Sequence, residues 1–315
     1  MNQNYVMAAG GLGNQIFQVA AAIDANSSEI QMVDVLGNVR KNHAQNSDLS
    51  EFSFGVAVNW NLKPRQLVFL RRISSLLLRQ SVQGRTISTL ILRSSFSRLL
   101  IKNYYSLALK QRVNPILATN NGFFDFSSRM TKLKSNFFVG YFQSCYWVLH
   151  NDTLQKMRQV ELVDNSEITY LLDQKRGISP LCVHIRLGDY RAEPDFGILS
   201  FKYYEAALER VFKERDYDQI WLFSDEPHLA IDKIPTKYRE RVWVVPILSA
   251  AQTLELMRYG QGYIIANSSF SWWGAMLSKF NDPTVVAPDK WFKNLTDPAH
   301  LIPPSWIKIE SNFEV

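Results

Sequence analysis

At 315 residues the chain is longer than one compact core requires, and two domains are expected. Hydrophobic residues at 46% and charged residues at 20% exclude a disordered chain, and no apolar run reaches the ~18–20 residues that a bilayer-spanning helix needs. Only Cys145 and Cys182 are present, which excludes a disulfide framework and a cysteine metal site; with no basic-then-apolar leader, a cytoplasmic protein is expected.

The first predicted element is a strand over Tyr5–Ala8 that runs into Gly10-Gly11-Leu12-Gly13, followed by a helix from Asn14 to about Ala25 and a strand over Ile30–Val35. Glycines after a strand let the backbone approach a ligand, and the helix behind them offers free N–H groups to an anion. The loop partly imitates a nicotinamide-cofactor fingerprint, with Asp34 near the place of the ribose-binding acid. The imitation fails at the third glycine, where Ile16 stands.

Residues 36–135 read as irregular and helical, without a repeat. The net charge of +6 originates here: between Glu51 and Asp125 there is no acidic residue, while eleven of the 35 basic residues fall in that stretch. Arginines alternate with apolar positions at three- and four-residue spacing across 67–78 and 91–101, the pattern of amphipathic helices. Two readings stand: core-facing helices whose solvated side is basic, or a basic insertion at about 60–112 that lies on an anionic membrane surface. No recognition motif accompanies the charge, so no nucleic acid is expected as a partner.

From Leu181 onward strands and helices alternate cleanly: strand Leu181–Arg186, helix Phe201–Lys213, strands Gln219–Phe223 and Val242–Val245, helix Thr253–Tyr259, strand Gly262–Ala266, helix Ser269–Lys279, strand Thr284–Ala287. That alternation predicts a parallel sheet covered on both faces, whose ligands sit beyond the strand carboxyl ends. Three motifs fall there. His184-Ile185-Arg186-Leu187-Gly188-Asp189 ends the first strand, and Arg186 can hold a diphosphate by a two-pronged hydrogen bond or pair internally with Asp189. Asp225 and Glu226 follow the next strand, suited to a guanine edge or to a helix cap. Asn267-Ser268-Ser269-Phe270 precede a helix and make a hydroxyl-lined anion site at its start. An Asp-x-Asp pair of the kind that holds a metal occurs at Asp216-Tyr217-Asp218, but at the amino end of its strand, where a solvated turn is expected.

With these motifs in this order, namely GGLGNQIFQ, HIRLGDY, WLFSDE and NSSFSWWGAML, supported by GYFQS, YYEAAL and APDKWF, the chain resembles the bacterial α-1,2-fucosyltransferases of glycosyltransferase family eleven. The resemblance covers both ends and the C-terminal half and is weak between about 36 and 135. It implies an α/β protein of GT-B type, two Rossmann-like domains facing a cleft, with an N-terminal acceptor-side domain over 1–175 and a C-terminal GDP-sugar-binding domain over 176–315. It implies an inverting transfer of L-fucose from GDP-β-L-fucose to the 2-hydroxyl of a terminal β-galactoside, with no cofactor and no metal; the basic apolar stretch, apart from the resemblance, suggests a lipid-linked acceptor at the inner membrane face. By position, Arg186 matches the arginine that grips the β-phosphate; Gly11, Gly13 and Asn14 match the glycine-rich loop facing the donor. Asn267, Ser268, Ser269 and Phe270 match the phosphate and nucleoside segment, and Asp225 a carboxylate near guanine. Asp189 and His184 are the candidate general bases, Asp189 ahead, with Glu193 and Asp195 behind; Asn14 is a candidate for placing the acceptor hydroxyl. The chain departs from the commonest family pattern at Leu187, Glu226 and Met276, and Leu187 leaves one arginine for the diphosphate. The rivals are a transferase using another GDP-sugar, a non-catalytic nucleotide-sugar-binding protein and, on the glycine loop alone, an oxidoreductase.

Overall fold

The computed structural model describes residues 3–25, 27–34, 48–60, 66, 68–70, 74, 77, 94–119, 124–126, 135–150 and 152–314. The chain divides into two compact units, Met1–Glu161 with Pro298–Leu301, and Leu162–Asp297 with Ile302–Val315.

The first unit is built on a six-stranded sheet. Its strands are β1 (Gln3–Ala8), β2 (Glu29–Asp34), β3 (Ala57–Asn59), β4 (Asn114–Thr119), β5 (Phe124–Phe126) and β6 (Asn136–Val139), in the order β3-β2-β1-β6-β4-β5. All neighbours are parallel except β4 and β5. Helix α1 (Leu12–Asp24) starts two residues earlier than expected, which puts Gly13 inside its first turn, and its apolar side chains are buried along its whole length. The strands β4 and β6 lie in the stretch read as irregular or just beyond it. Residues 114–118 and NFFV are buried, so they show no apolar–polar alternation, and Pro115 argues against a strand on sequence grounds. The buried Asn4 ties this sheet together: its Oδ1 accepts the Asn136 N–H at 2.8 Å and its Nδ2 donates to Ser27 Oγ at 2.6 Å.

Helix α2 (Ser95–Leu109) lays Ile101, Tyr105 and Leu109 on the sheet, where the Tyr105 ring stacks on Phe137 at 4.3 Å. Most of the expected basic helix over 67–78, including Arg71 and Arg72, and the stretch with Arg79, Arg85 and Arg93 lie outside the described residues. After β6 the short helix α3 (Cys145–Val148) is capped by Ser144, whose oxygen accepts the Tyr146 N–H at 3.1 Å. The Cys145 N–H donates to the His300 carbonyl at 2.7 Å, which is how Pro298–Leu301 joins this unit.

The second unit begins earlier than residue 176, because helix α4 (Ser166–Gln174) belongs to it: Ile168 is buried, and Glu167 accepts from Gln252 Nε2 at 3.3 Å. Its strands are β7 (Pro180–Ile185), β8 (Gln219–Ser224), β9 (Val242–Val244), β10 (Gly262–Ile264), β11 (Thr284–Pro288) and β12 (Ile307–Ile309). They form an all-parallel sheet in the order β9-β8-β7-β10-β11-β12. Counted from β7, that is the 3-2-1-4-5-6 order of a doubly wound nucleotide-binding sheet, with its switch point between β7 and β10. Helix α5 (Phe201–Glu214) covers one face through Tyr203, Tyr204, Ala207, Leu208 and Val211. Helix α6 (Ala250–Met257) opens on a capping box between Ser249 and Gln252. Helix α7 (Ser269–Met276) packs so closely on α6 that a Cβ at Gly274 would stand 2.2 Å from Met257 Sδ.

Candidate active site

At the switch point of the second unit, β7 ends at Ile185 and Arg186 follows. Its guanidinium is pinned between two carboxylates, with Nε 2.8 Å from Asp189 Oδ1 and Nη1 3.3 Å from Asp225 Oδ2. Burial works against the charge of Arg186, but the bond to Asp189 and the field of both carboxylates outweigh it and raise its pKa. The guanidinium also lies over the Tyr190 ring, 5.8 Å from its centroid.

Asp225 does more than pair with arginine. Its Oδ1 accepts the Leu187 N–H at 3.0 Å and its Oδ2 the Gly188 N–H at 2.9 Å, so one carboxylate from the end of β8 fixes the loop after β7. A Cβ at Gly188 would stand 2.7 Å from that Oδ2, so glycine is the residue that allows this approach. Arg191 then forks the Glu226 carboxylate, 2.7 Å from Oε1, which ties the same loop down a second time. With both Asp225 oxygens engaged this way, the carboxylate expected near guanine holds backbone in this structure.

Across the switch point, Asn267 is almost fully buried, and its Nδ2 lies 3.1 Å from each of three carbonyls, those of Phe196, Gly197 and Trp291. Its own carbonyl accepts the Tyr190 hydroxyl at 2.9 Å, which joins the loop after β10 to the loop after β7. Burial pushes the Tyr190 phenol up, so it stays a neutral donor. Ser268 caps α7 by accepting the Phe270 N–H at 3.3 Å. Ser269 and Phe270 are partly exposed at the same helix start, where the backbone dipoles favour an anion. The Phe270 ring faces His184, with centroids 5.9 Å apart. His184 is buried, and among the described residues its Nδ1 has no hydrogen-bond partner. Burial, with the Arg186 charge behind it, lowers its pKa to about 3, so the ring is neutral and a weak base. Asp189 is 61% exposed, and among the described residues its carboxylate is bound only at Arg186.

Thus Arg186, Asp189, His184, Asp225, Asn267, Ser268, Ser269 and Phe270 all belong to one end of one sheet, the carboxyl ends of β7, β8 and β10. Gly11, Gly13 and Asn14 belong to the first unit, at the carboxyl end of β1. Gly10 there has φ +75°, and a Cβ on it would stand 2.2 Å from Asn14 Nδ2. Gly11 has no side chain to cap α1. Gln18 holds the loop through hydrogen bonds to the Ala9 and Gly140 carbonyls, at 3.2 and 3.0 Å. Asn14 accepts from Gln143 Nε2 at 2.5 Å, while the other end of Gln143, Oε1, is buried and without a partner among the described residues. Gln143 was not singled out from sequence; the GYFQS similarity is the signal that contained it.

The Asp216-Tyr217-Asp218 pair sits at the amino end of β8. Asp216 pairs with Arg241 at 2.9 Å and Asp218 accepts the Ser179 N–H at 2.7 Å. Among the described residues no three His, Cys, Asp or Glu side chains gather as a metal site.

Two α/β units, the second a doubly wound parallel sheet with Arg186 and the start of α7 at the carboxyl ends of the neighbouring strands β7 and β10, place the chain in the doubly wound α/β class. The family profile described as Glycosyl transferase family 11 matches residues 4–310, and the chain belongs to that family of glycosyltransferases. It is 28% identical over 330 residues to the O-antigen biosynthesis glycosyltransferase WbnK of Escherichia coli, covering 97% of this chain and 100% of that one. It is 30% identical over 191 residues to an Escherichia coli alpha-1,2-colitosyltransferase, covering 55% of this chain and 62% of that one. The solved structure of the NodZ alpha-1,6-fucosyltransferase soaked with GDP-fucose aligns over 88% of this chain and 92% of that chain, with a TM-score of 0.47 and 14% identity.

Proposed function

We propose that the chain transfers L-fucose from GDP-β-L-fucose to the 2-hydroxyl of a terminal β-galactoside in a surface oligosaccharide, with inversion and without a metal or other cofactor, on the cytoplasmic side. The observation that carries this reading is that Arg186 and the start of α7 stand at the carboxyl ends of the neighbouring strands β7 and β10, with Tyr190, under the Arg186 guanidinium, tied to the Asn267 carbonyl. In the transfer, the bond between the fucosyl C1 and the β-phosphate oxygen breaks as the acceptor oxygen bonds to C1 from the opposite face. The electron pair stays on the leaving GDP, and the acceptor proton passes to a base. Arg186 and the Ser269 N–H at the start of α7, with the Ser268 cap and Phe270 beside it, stabilise the charge on GDP; preorganised donors of this kind contribute about 3–4 kcal/mol each. Asp225 and Asn267 act by holding the two loops.

Asp189 is the base in this reading. The low basicity of His184 removes its first-ranked competitor, and a diphosphate that occupies Arg186 releases the exposed carboxylate from its ion pair. Asn14, with its amide fixed by Gln143, places the acceptor hydroxyl, and the exposed Gly11 keeps the backbone open beside it.

The similarity to a colitosyltransferase favours a second reading, a different GDP-sugar as donor. Colitose lacks a hydroxyl that fucose carries, and a site that hydrogen-bonds a hydroxyl rejects the deoxy analogue by roughly 10⁴-fold. Turnover of GDP-fucose and GDP-colitose against a panel of β-galactosides, with product linkage read by NMR, separates the two. A product only from GDP-colitose, or a linkage other than α-1,2, overturns the first reading. Activity lost in excess EDTA and restored by manganese overturns its metal-free chemistry, and GDP binding without any GDP release from GDP-sugars would leave only a binding protein.

A further inference from the structure

Helix α2 carries two apolar stripes where an ordinary surface helix carries one. Ile101, Tyr105 and Leu109 face the sheet and are buried. At about 100° per residue, Phe96, Leu99, Leu100 and Leu107 fall on the opposite side, within an arc of roughly 100° and over a length of about 16 Å. They are exposed by 69%, 52%, 52% and 76%. Beside them stand Val68 and Phe69, exposed by 53% and 57%; the Phe69 ring lies 6.1 Å from that of Tyr104, which also donates its hydroxyl to the Phe69 carbonyl. Side chains of this size, clustered and exposed, mark a contact surface.

The charge around the stripe says what it meets. Lys102 lies on the same helix, Lys110 caps its end and Arg112 follows, both of the latter exposed. Among the described residues from 66 to 119 every charged one is basic. A second copy would bring two surfaces of one sign together, which opposes pairing. The outward stripe itself holds one polar residue, Asn103, so it presents almost nothing for a protein partner to read by hydrogen bonds. Apolar side chains that need only an apolar medium, framed by cations that need anions, fit the boundary between the headgroups and acyl chains of an anionic bilayer. We propose that the outward face of α2, with Val68 and Phe69, docks the chain on anionic lipid. This goes beyond the transfer reaction and holds whichever sugar is transferred.

The test uses the full chain and sedimentation with vesicles of phosphatidylcholine, with or without about one third phosphatidylglycerol. The chain is expected to sediment with the anionic vesicles and not with the neutral ones, and to be released in part as salt rises. The double variant Phe96→Ser/Leu107→Ser is expected to partition at least about tenfold more weakly. Its melting temperature and its turnover on a short, soluble β-galactoside should stay those of the parent, because both side chains are exposed. No sedimentation of the parent chain with anionic vesicles overturns the proposal, and so does a double variant that partitions like its parent. Sedimentation velocity that shows self-association lost in the double variant would make the stripe an interface between copies, which also overturns it. Persistence of turnover on the soluble acceptor in any of these cases leaves the transferase reading standing.

Discussion

In both units the first strand of the sheet ends in a loop and a helix start, yet the two loops are furnished with opposite chemistry. After β7 the loop is held by charge: Arg186 between Asp189 and Asp225, and Arg191 on Glu226. After β1 amides hold it, with Gln18 on backbone carbonyls and Gln143 on Asn14. A fixed cation suits a leaving group that gains negative charge, and a rigid amide suits the neutral hydroxyls of a sugar. On the proposed reading the related sheet framework would offer one corner for a nucleoside diphosphate and another for an uncharged partner, and the difference would lie in a handful of side chains.

Four measurements test that contrast. Arg186→Ala is expected to lower turnover about a hundredfold or more with an unchanged circular dichroism spectrum; a variant near parental activity removes the arginine from the mechanism. His184 comes next. Its pKa of about 3 lies below the ordinary 6.5, so the unfolded chain takes up the proton first as pH falls. The stability it contributes is complete above pH 6.5 and drains away toward pH 3, by at most about 1.4 kcal/mol per pH unit. His184→Phe should flatten the loss of melting temperature in that window, and identical curves for parent and variant would show that the ring is not held neutral. Gly188→Ala pushes a methyl at the Asp225 carboxylate and should weaken GDP binding about tenfold in calorimetry, since it unseats the loop that carries Arg186. The amide corner gives the smallest effect: Gln143→Ala is expected to raise the acceptor KM about fivefold with GDP affinity intact. Equal losses in GDP and acceptor binding would erase the distinction between the corners.

Much of this was legible before the structure. The second unit alternates strand and helix with few insertions, and residues at strand ends such as Arg186, Asp225 and Ser268 announce themselves by chemistry that a core does not need. The strands β4 and β6 were not legible, because a parallel strand covered on both faces is a plain apolar run and Asn114–Thr119 contains a proline. Nor could sequence say what Asp225 and Asn267 bind. Asp225 reaches back 38 residues to Leu187 and Asn267 back 71 to Phe196, pairings that depend on strand order and not on local pattern. Gln143 is a similar case, meeting Asn14 across 129 residues. The unit boundary moved for a packing reason, the allegiance of α4.

The carbonyl of His300, taken up by Cys145, has a temporal implication. During synthesis the N-terminal unit emerges first, but the strap that seals its α3 corner leaves the ribosome only after residues 162–297 have been made. Until then that corner waits unfinished, and a fragment ending at residue 161 would carry the same gap for good.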